Sequence, residues 1–267
     1  MPMFTKRPEL MRWPLSMAAL LLSASLCAQT PTPIPRTPEG KPDFSGVWQT
    51  GGISLTGTQA NVVPDAAASA TAAPMGGRNT AKPTGPWADL PTQPPLQPWA
   101  AEKVKGLTAK DDPTVRCFMP GVPRAFSQPF PFEIVQTPQK VVILYEVFHS
   151  FRIIPIDGRK PVGEVLPGYM GDSTGHWEGD TLVVVAENFN GRIWGPGNMR
   201  VTSDAFRVTE RYTQQGDTIA YEAKIEDPNV LTGPFVQRLT MRRPPETRVA
   251  EYECLEGNDD VPHLVGP

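Results

Sequence analysis

Gly175-His176-Trp177-Glu178-Gly179-Asp180-Thr181-Leu182-Val183-Val184-Val185 is the stretch that decides the fold. A short strand runs into Glu178-Gly179-Asp180 and leaves as a run of β-branched residues. Gly179 supplies the positive φ that a tight turn requires, and residues 181–185 are stiff at χ1 and suit a pleated surface better than a helix. The stretch is a β-hairpin. Beyond Phe130 the chain reads as more of the same, with strands expected at 132–137, 140–148, 151–157, 174–178, 181–189, 205–213, 217–226, 235–242 and 248–254. Gln139, Gln215-Gly216-Asp217 and Pro244-Pro245-Glu246 stand where hairpin turns belong, so consecutive strands should pair as a meander. With a further strand at 46–49 the total is about ten, and a single antiparallel sheet of that size curls or closes to remove its edges. The expected fold is all-β, an antiparallel up-and-down barrel of lipocalin-like or calycin-like kind, with a split two-sheet sandwich as the rival.

Upstream of the strands the composition changes. Residues 31–138 hold 19 of the chain's 32 prolines, together with Ala, Gly and Thr runs such as 65–73, so little regular structure can survive there. Two islands interrupt this arm. Asp43-Phe44-Ser45-Gly46-Val47-Trp48-Gln49 reads as a strand whose Trp48 plugs one end of a core. Residues 99–107, after Pro98, form the one plausible helix, placed to cap the barrel mouth. The chain thus divides into residues 1–28, an arm at 29–130 with a first strand (43–50) and a short helix (99–107), a barrel body at 131–255, and a tail at 256–267.

Lys6, Arg7 and Arg12 precede an apolar stretch at 15–26 that is too short to span a bilayer and ends in small residues, the pattern of a cleaved signal peptide. Cleavage after Ala28 would start the mature chain at Gln29. The rival is a lipid anchor on Cys27, against which the bulky Leu26 argues. The expected address is periplasmic or secreted, without membrane insertion of the mature chain. Removing residues 1–28 takes away Glu9 and three basic residues, leaving 22 Lys and Arg against 27 Asp and Glu, a net charge of −5 that speaks against a nucleic-acid or anionic-membrane partner. The mature chain keeps two cysteines, Cys117 and Cys254, and an oxidising compartment favours joining them over leaving two buried thiols.

Strand alternation supplies candidate site residues. Phe206, Val208, Glu210 and Tyr212 share one face of their strand, which sets Glu210 inward among apolar neighbours, while Arg207, Thr209, Arg211 and Thr213 make the polar face. Ile219, Tyr221, Ala223 and Ile225 form the inner face of the next strand, and Gln237 shares a face with Phe235, Leu239 and Met241. A hairpin of 140–148 with 151–157 turning about His149 would set Glu146 opposite Arg152, Leu144 opposite Ile154 and Val142 opposite Ile156. Glu146, Arg152, Glu210 and a lumen-facing His176 then form a candidate catalytic cluster, with Trp177, Phe206, Tyr212, Tyr221 and Gln237 as the candidate ligand surface. The alternative is a buried ion pair that fixes register.

Other motifs carry less. Gly171-Asp172-Ser173-Thr174-Gly175 matches Gly-x-Ser-x-Gly, but a nucleophile elbow needs a helix after the serine and a strand follows here. A chymotrypsin-like reading needs its base far upstream, whereas His149 lies just before Ser173. His176, Glu178 and Asp180 are metal-ligand types, but a solvent-exposed turn contains the same residues, and only His149 and His263 could add nitrogen. Without a Cys-x-x-Cys, a His-Glu-x-x-His or a phosphate-cradling glycine loop, no cofactor and no metal is expected.

Gly46-Val47-Trp48 is similar to the Gly-x-Trp signature of lipocalins. A longer set, Asp111-Asp112-Pro113-Thr114-Val115-Arg116-Cys117, Pro131-Phe132-Glu133-Ile134-Val135-Gln136, Asp157-Gly158-Arg159, the Gly175–Val184 hairpin and Thr209-Glu210-Arg211, resembles a family of exported bacterial β-rich proteins with no assigned activity. The likeness covers most of residues 43–255 and implies export and a β-rich fold, but no catalytic residue. Where that family carries a His before the Glu210 strand, this chain has Thr202-Ser203-Asp204. Three functions follow in order of expectation: a cofactor-independent lyase, isomerase or hydrolase acting on a small organic molecule in the lumen; a lipocalin-like carrier of an apolar or aromatic molecule; and an envelope interaction protein.

Overall fold

The computed structural model describes residues 34–50, 85–159 and 166–256. The expected signal peptide, the run at 65–73 and His263 lie outside the described residues. Nine strands form one antiparallel sheet: β1 (Gly46–Thr50), β2 (Phe132–Gln136), β3 (Lys140–Tyr145), β4 (Phe151–Pro155), β5 (Asp172–Glu178), β6 (Thr181–Glu187), β7 (Arg207–Gln215), β8 (Thr218–Glu226) and β9 (Phe235–Arg242). Their order is β4-β3-β2-β1-β9-β8-β7-β6-β5, so the chain is two meanders joined through β1, which pairs with β2 on one side and β9 on the other.

The two ends of that order meet. A Cβ placed on Gly175 of β5 would lie 3.0 Å from the Ile156 Cγ2 and 3.1 Å from the Ile154 Cγ2, so β5 lies directly against β4 and its continuation. No ladder joins β4 and β5 among the described residues, and the barrel is therefore nearly closed, sealed at one seam by side chains. At the seam β4 and β5 are joined by residues 156–171, instead of a tight turn that would enforce pairing.

Most strands bury alternate residues, and β6 and β9 also bury consecutive ones, Leu182–Val184 and Phe235–Val236. Val208, Glu210, Tyr212 and Gln214 of β7, and Ile219, Tyr221, Ala223 and Ile225 of β8, face the lumen as the alternation predicts. Trp48 is wholly buried, and its indole N–H donates to the Phe44 carbonyl at 2.7 Å. The hairpin turns at 137–139, 179–180 and 216–217 gather at one end of the barrel, and the longer loops lie at the other. At the loop end the helix α1 (Pro98–Lys105), started by Pro98, lies along the β8–β9 connection, with Gln97 N–H donating to the Val230 carbonyl at 2.8 Å and Trp99 Nε1–H to the Asn229 carbonyl at 3.1 Å.

Two expectations are corrected here. Residues 248–254 are not a strand, because β1 and β8 already occupy both edges of β9 and no edge is left for a returning hairpin. The segment is instead held by side chains. Glu146 accepts from Ala250 N–H at 2.7 Å, His149 Nε2 accepts from Tyr252 N–H at 2.8 Å, and the Tyr252 ring meets Phe130 and Phe148 edge-on. Cys254 then joins Cys117 in a disulfide with Cα atoms 5.8 Å apart, as expected from the mature cysteine count.

The second correction is register. Ile143 stands opposite Arg152 and Leu144 opposite Phe151, three residues away from the expected pairing. The turn is wider than a tight turn about His149: Tyr145 N–H reaches the Ser150 carbonyl across Glu146–His149, with Phe148 and His149 both in the left-handed region. An odd shift inverts the strand's faces. Val141, Ile143 and Tyr145 turn inward, and Leu144, with Phe151 and Ile153 of β4, becomes exposed on the outer wall.

Candidate functional site

Among the described residues the lumen contains one charged pair. Arg152 on β4 and Glu210 on β7 are both essentially inaccessible to water, and they meet end-on: Nη1 donates to Oε1 at 2.9 Å and Nη2 to Oε2. The remaining hydrogen-bonding capacity is spent on neighbours. Arg152 Nε donates to the Ser173 hydroxyl on β5 at 2.7 Å, and Glu210 Oε1 accepts from Tyr212 at 2.9 Å and Tyr221 at 2.8 Å. The network crosses the seam, since β4 and β5 share no ladder but share this guanidinium. Each member arrives by strand alternation, Glu210 and Tyr212 two positions apart on β7 and Tyr221 across from Tyr212 on β8.

The electrostatics follow from burial. Removal from water disfavours the Arg152 charge, but Glu210 outweighs it and holds the guanidinium protonated well beyond its usual range. Burial first, and the Glu210 carboxylate second, push the Tyr212 and Tyr221 hydroxyls well above the ordinary phenol range. Burial raises Tyr145 too, against the opposing pull of Arg152. A bidentate, multiply hydrogen-bonded carboxylate of this kind is a poor general base, because its lone pairs are already engaged.

Over this network sits Phe126, carried by a 3-10 turn (Arg124–Ser127) and not by a wall strand. Its ring packs against Phe132, Tyr145, Tyr212 and Tyr221 at centroid distances of 4.8, 5.3, 6.1 and 5.0 Å. The turn is tied down by Thr50, which donates to the Phe126 carbonyl, by the Arg124–Asp112 ion pair, and by Gln237, whose amide donates to the Ser127 hydroxyl at 2.8 Å. Two buried polar atoms beside the turn make no hydrogen bond among the described residues, the Tyr145 hydroxyl and the Gln237 Oε1.

The expected catalytic cluster is therefore divided. Arg152 and Glu210 come together, but with each other, since Glu146 lies outside the lumen clasping Ala250, a consequence of the three-residue register difference. His176 is also corrected: it points outward with about 60% of its side chain exposed, 3.4 Å from Glu178. Ser173, Gly175 and Trp177 hold the inward parity of β5, which leaves the intervening positions to solvent. Glu178 and Asp180 are engaged by Arg211 and Arg36. Among the expected ligand-surface residues, Tyr212 and Tyr221 pack against Phe126, Gln237 is hydrogen-bonded to Ser127 of the same turn, Phe206 is buried against Phe189 at 5.0 Å, and Trp177 is half-buried beside Phe44 at the hairpin end.

Three members were missed from sequence. Ser173 lay in a motif dismissed as a nucleophile, Tyr145 was assigned no inward role, and Phe126 lay in the proline-rich arm. Correct β3–β4 parity would have exposed Tyr145; no pattern in the arm marks Phe126. Comparisons of the chain with family models and with curated proteins returned no match.

Proposed function

We propose that this protein is exported and binds a small organic molecule in the barrel lumen beneath the Phe126 turn. The observation that carries the reading is the pair of buried atoms without a hydrogen-bond partner among the described residues, Tyr145 Oη, whose ring packs on Phe126, and Gln237 Oε1, whose amide bonds Ser127 of the same turn. A buried polar atom without a partner costs about 1–3 kcal/mol, and a ligand with a hydroxyl or carbonyl group in the place of the Phe126 ring would satisfy it. The Arg152–Glu210 network would then serve as the rigid polar floor of the chamber, consistent with its saturation. The Cys117–Cys254 bridge supports an oxidising compartment, and mass spectrometry of the native protein should find a mature N-terminus at Gln29; a retained N-terminus in the cytoplasm would overturn export.

The binding test is substitution of the ring. Phe126→Leu and Phe126→Ala should open the chamber, so that p-cresol raises the melting temperature of the variants by several degrees and the parent by less, while Tyr145→Phe in the Phe126→Leu background removes most of that shift. Absence of any shift in parent and variants alike would refute a lumen ligand. Acid/base turnover is the second reading, resting on the same Tyr145 hydroxyl, which burial keeps protonated and so able to donate a hydrogen bond to a developing oxyanion. Under it, Tyr145→Phe abolishes turnover while leaving ligand affinity within a few-fold.

A further inference from the structure

Outside the lumen, a cleft of about 250 Å³ opens between three stretches of chain that are far apart in sequence, lined by Asp111, Pro113, Arg116, Phe118, Tyr169 and Arg192. The rings of Phe118 and Tyr169 stack at 5.6 Å with only 14° between their planes, and Phe118 remains 45% exposed. Stacked, part-exposed rings form a platform on which a third ring can rest.

The charges are unbalanced. Asp111 is occupied locally, its Oδ2 accepting from the Thr108 N–H at 2.8 Å and the Thr108 hydroxyl at 2.9 Å, and these bonds, with a lesser pull from the Arg116 and Arg200 charges, hold its carboxyl below the usual range. Neither the Arg116 nor the Arg192 guanidinium forms an ion pair or side-chain hydrogen bond among the described residues, in contrast to Arg124, paired with Asp112, and Arg200, which donates to the Leu107 carbonyl. Two forked donors beside an aromatic platform match a planar carboxylate attached to a ring.

The cleft is also rigid. Cys117, between Arg116 and Phe118, takes a left-handed conformation (φ 61°) and is tied to Cys254, which fixes the directions of both neighbours. On the opposite wall, a Cβ at Gly121 would fall 2.6 Å from the Ile193 side chain and 2.7 Å from the Tyr169 carbonyl, so only glycine lets these segments approach. Preorganisation of this kind lowers the ordering cost of binding.

We propose that this cleft is a binding site for a single-ring aromatic carboxylate, with the carboxylate held by Arg116 and Arg192 and the ring against Phe118 and Tyr169. Its volume is below that of sites for drug-sized ligands, which restricts it to about one ring. The site shares no lining residue with the lumen and does not depend on lumen binding.

Calorimetry on the full mature protein with benzoate, benzyl alcohol and inorganic phosphate separates the two recognition elements. Benzoate should bind at least tenfold more tightly than either control, and its affinity should fall as salt is raised from 20 to 200 mM. Arg116→Gln and Arg192→Gln should each weaken benzoate at least tenfold, whereas Phe118→Leu should narrow the preference of benzoate over phosphate; the exposure of these side chains predicts melting temperatures within about 2 °C of the parent. Equal affinity for benzoate and phosphate would reduce the cleft to a plain anion site and overturn the proposal, as would benzoate binding that survives both arginine substitutions. Should a variant unfold, a shift in the fluorine resonance of 4-fluorobenzoate on the parent, reversed by benzoate and unaffected by benzyl alcohol, decides the matter alone.

Discussion

Glu210 and Arg152 carry opposite consequences depending on whether they are removed singly or together. Replacing Glu210 by Gln leaves a guanidinium in a water-free lumen with only a neutral partner, and should cost about 3–5 kcal/mol in chemical denaturation. The double change Arg152→Met with Glu210→Leu should cost clearly less than the sum of the two single changes; additive costs would mean the pair is not coupled. The tyrosines set a second limit. The folded-state values of Tyr212 and Tyr221 are raised above an unfolded value near 10, so their contribution is intact below about pH 10 and is lost as pH rises beyond it towards the folded values. Phenolate absorbance should therefore appear together with loss of β-sheet circular dichroism on alkaline titration. Ionisation of these tyrosines in a protein that stays folded would contradict their burial.

At the scale of elements, the seam between β4 and β5 is where closure rests on side chains alone, apolar packing and the Arg152–Ser173 hydrogen bond. Gly175 permits it, since any side chain there must displace the Ile154 and Ile156 methyl groups. Gly175→Val should destabilise by about 1–3 kcal/mol and raise amide exchange on β4 and β5 before the β6–β9 meander responds. Uniform exchange across all strands would mean that the seam opens only with global unfolding. The β3–β4 hairpin shows why this element was misread. Its sequence, with apolar residues at every position from 141 to 145, supports either parity, and the choice fell to a turn whose Phe148 and His149 adopt positive φ, which no local residue preference signals.

Across the whole molecule, the Cys117–Cys254 bridge ties the loop before β2 to the segment after β9 over 137 residues. Closing so long a loop contributes about 5 kcal/mol in the chain-entropy account. Reduction should lower the denaturation midpoint accordingly and release residues 248–256 from Glu146 and His149, so that proteolysis begins in this segment. A reduced protein with an unchanged midpoint would show that the clamp and the core suffice.

Sequence alone determined the all-β class, the antiparallel meander, the inward parity of β7 and β8, the disulfide pair and the inward Glu210. These follow from period-two alternation, turn residues and cysteine number, which are local or counting properties. Only the tertiary structure decided what Glu210 meets. Arg152 reaches it across the lumen from the far end of the strand order, Ser173 joins across a seam without a ladder, and Phe126 enters from a proline-rich stretch with no periodic signal. The same holds for Glu146 and His176, whose outward placement depends on register and on which face of β5 meets β4. Contacts that close a barrel link residues far apart in sequence, and the geometry of closure, set by strand number, one wide turn and one glycine, is not written in any short stretch of the chain.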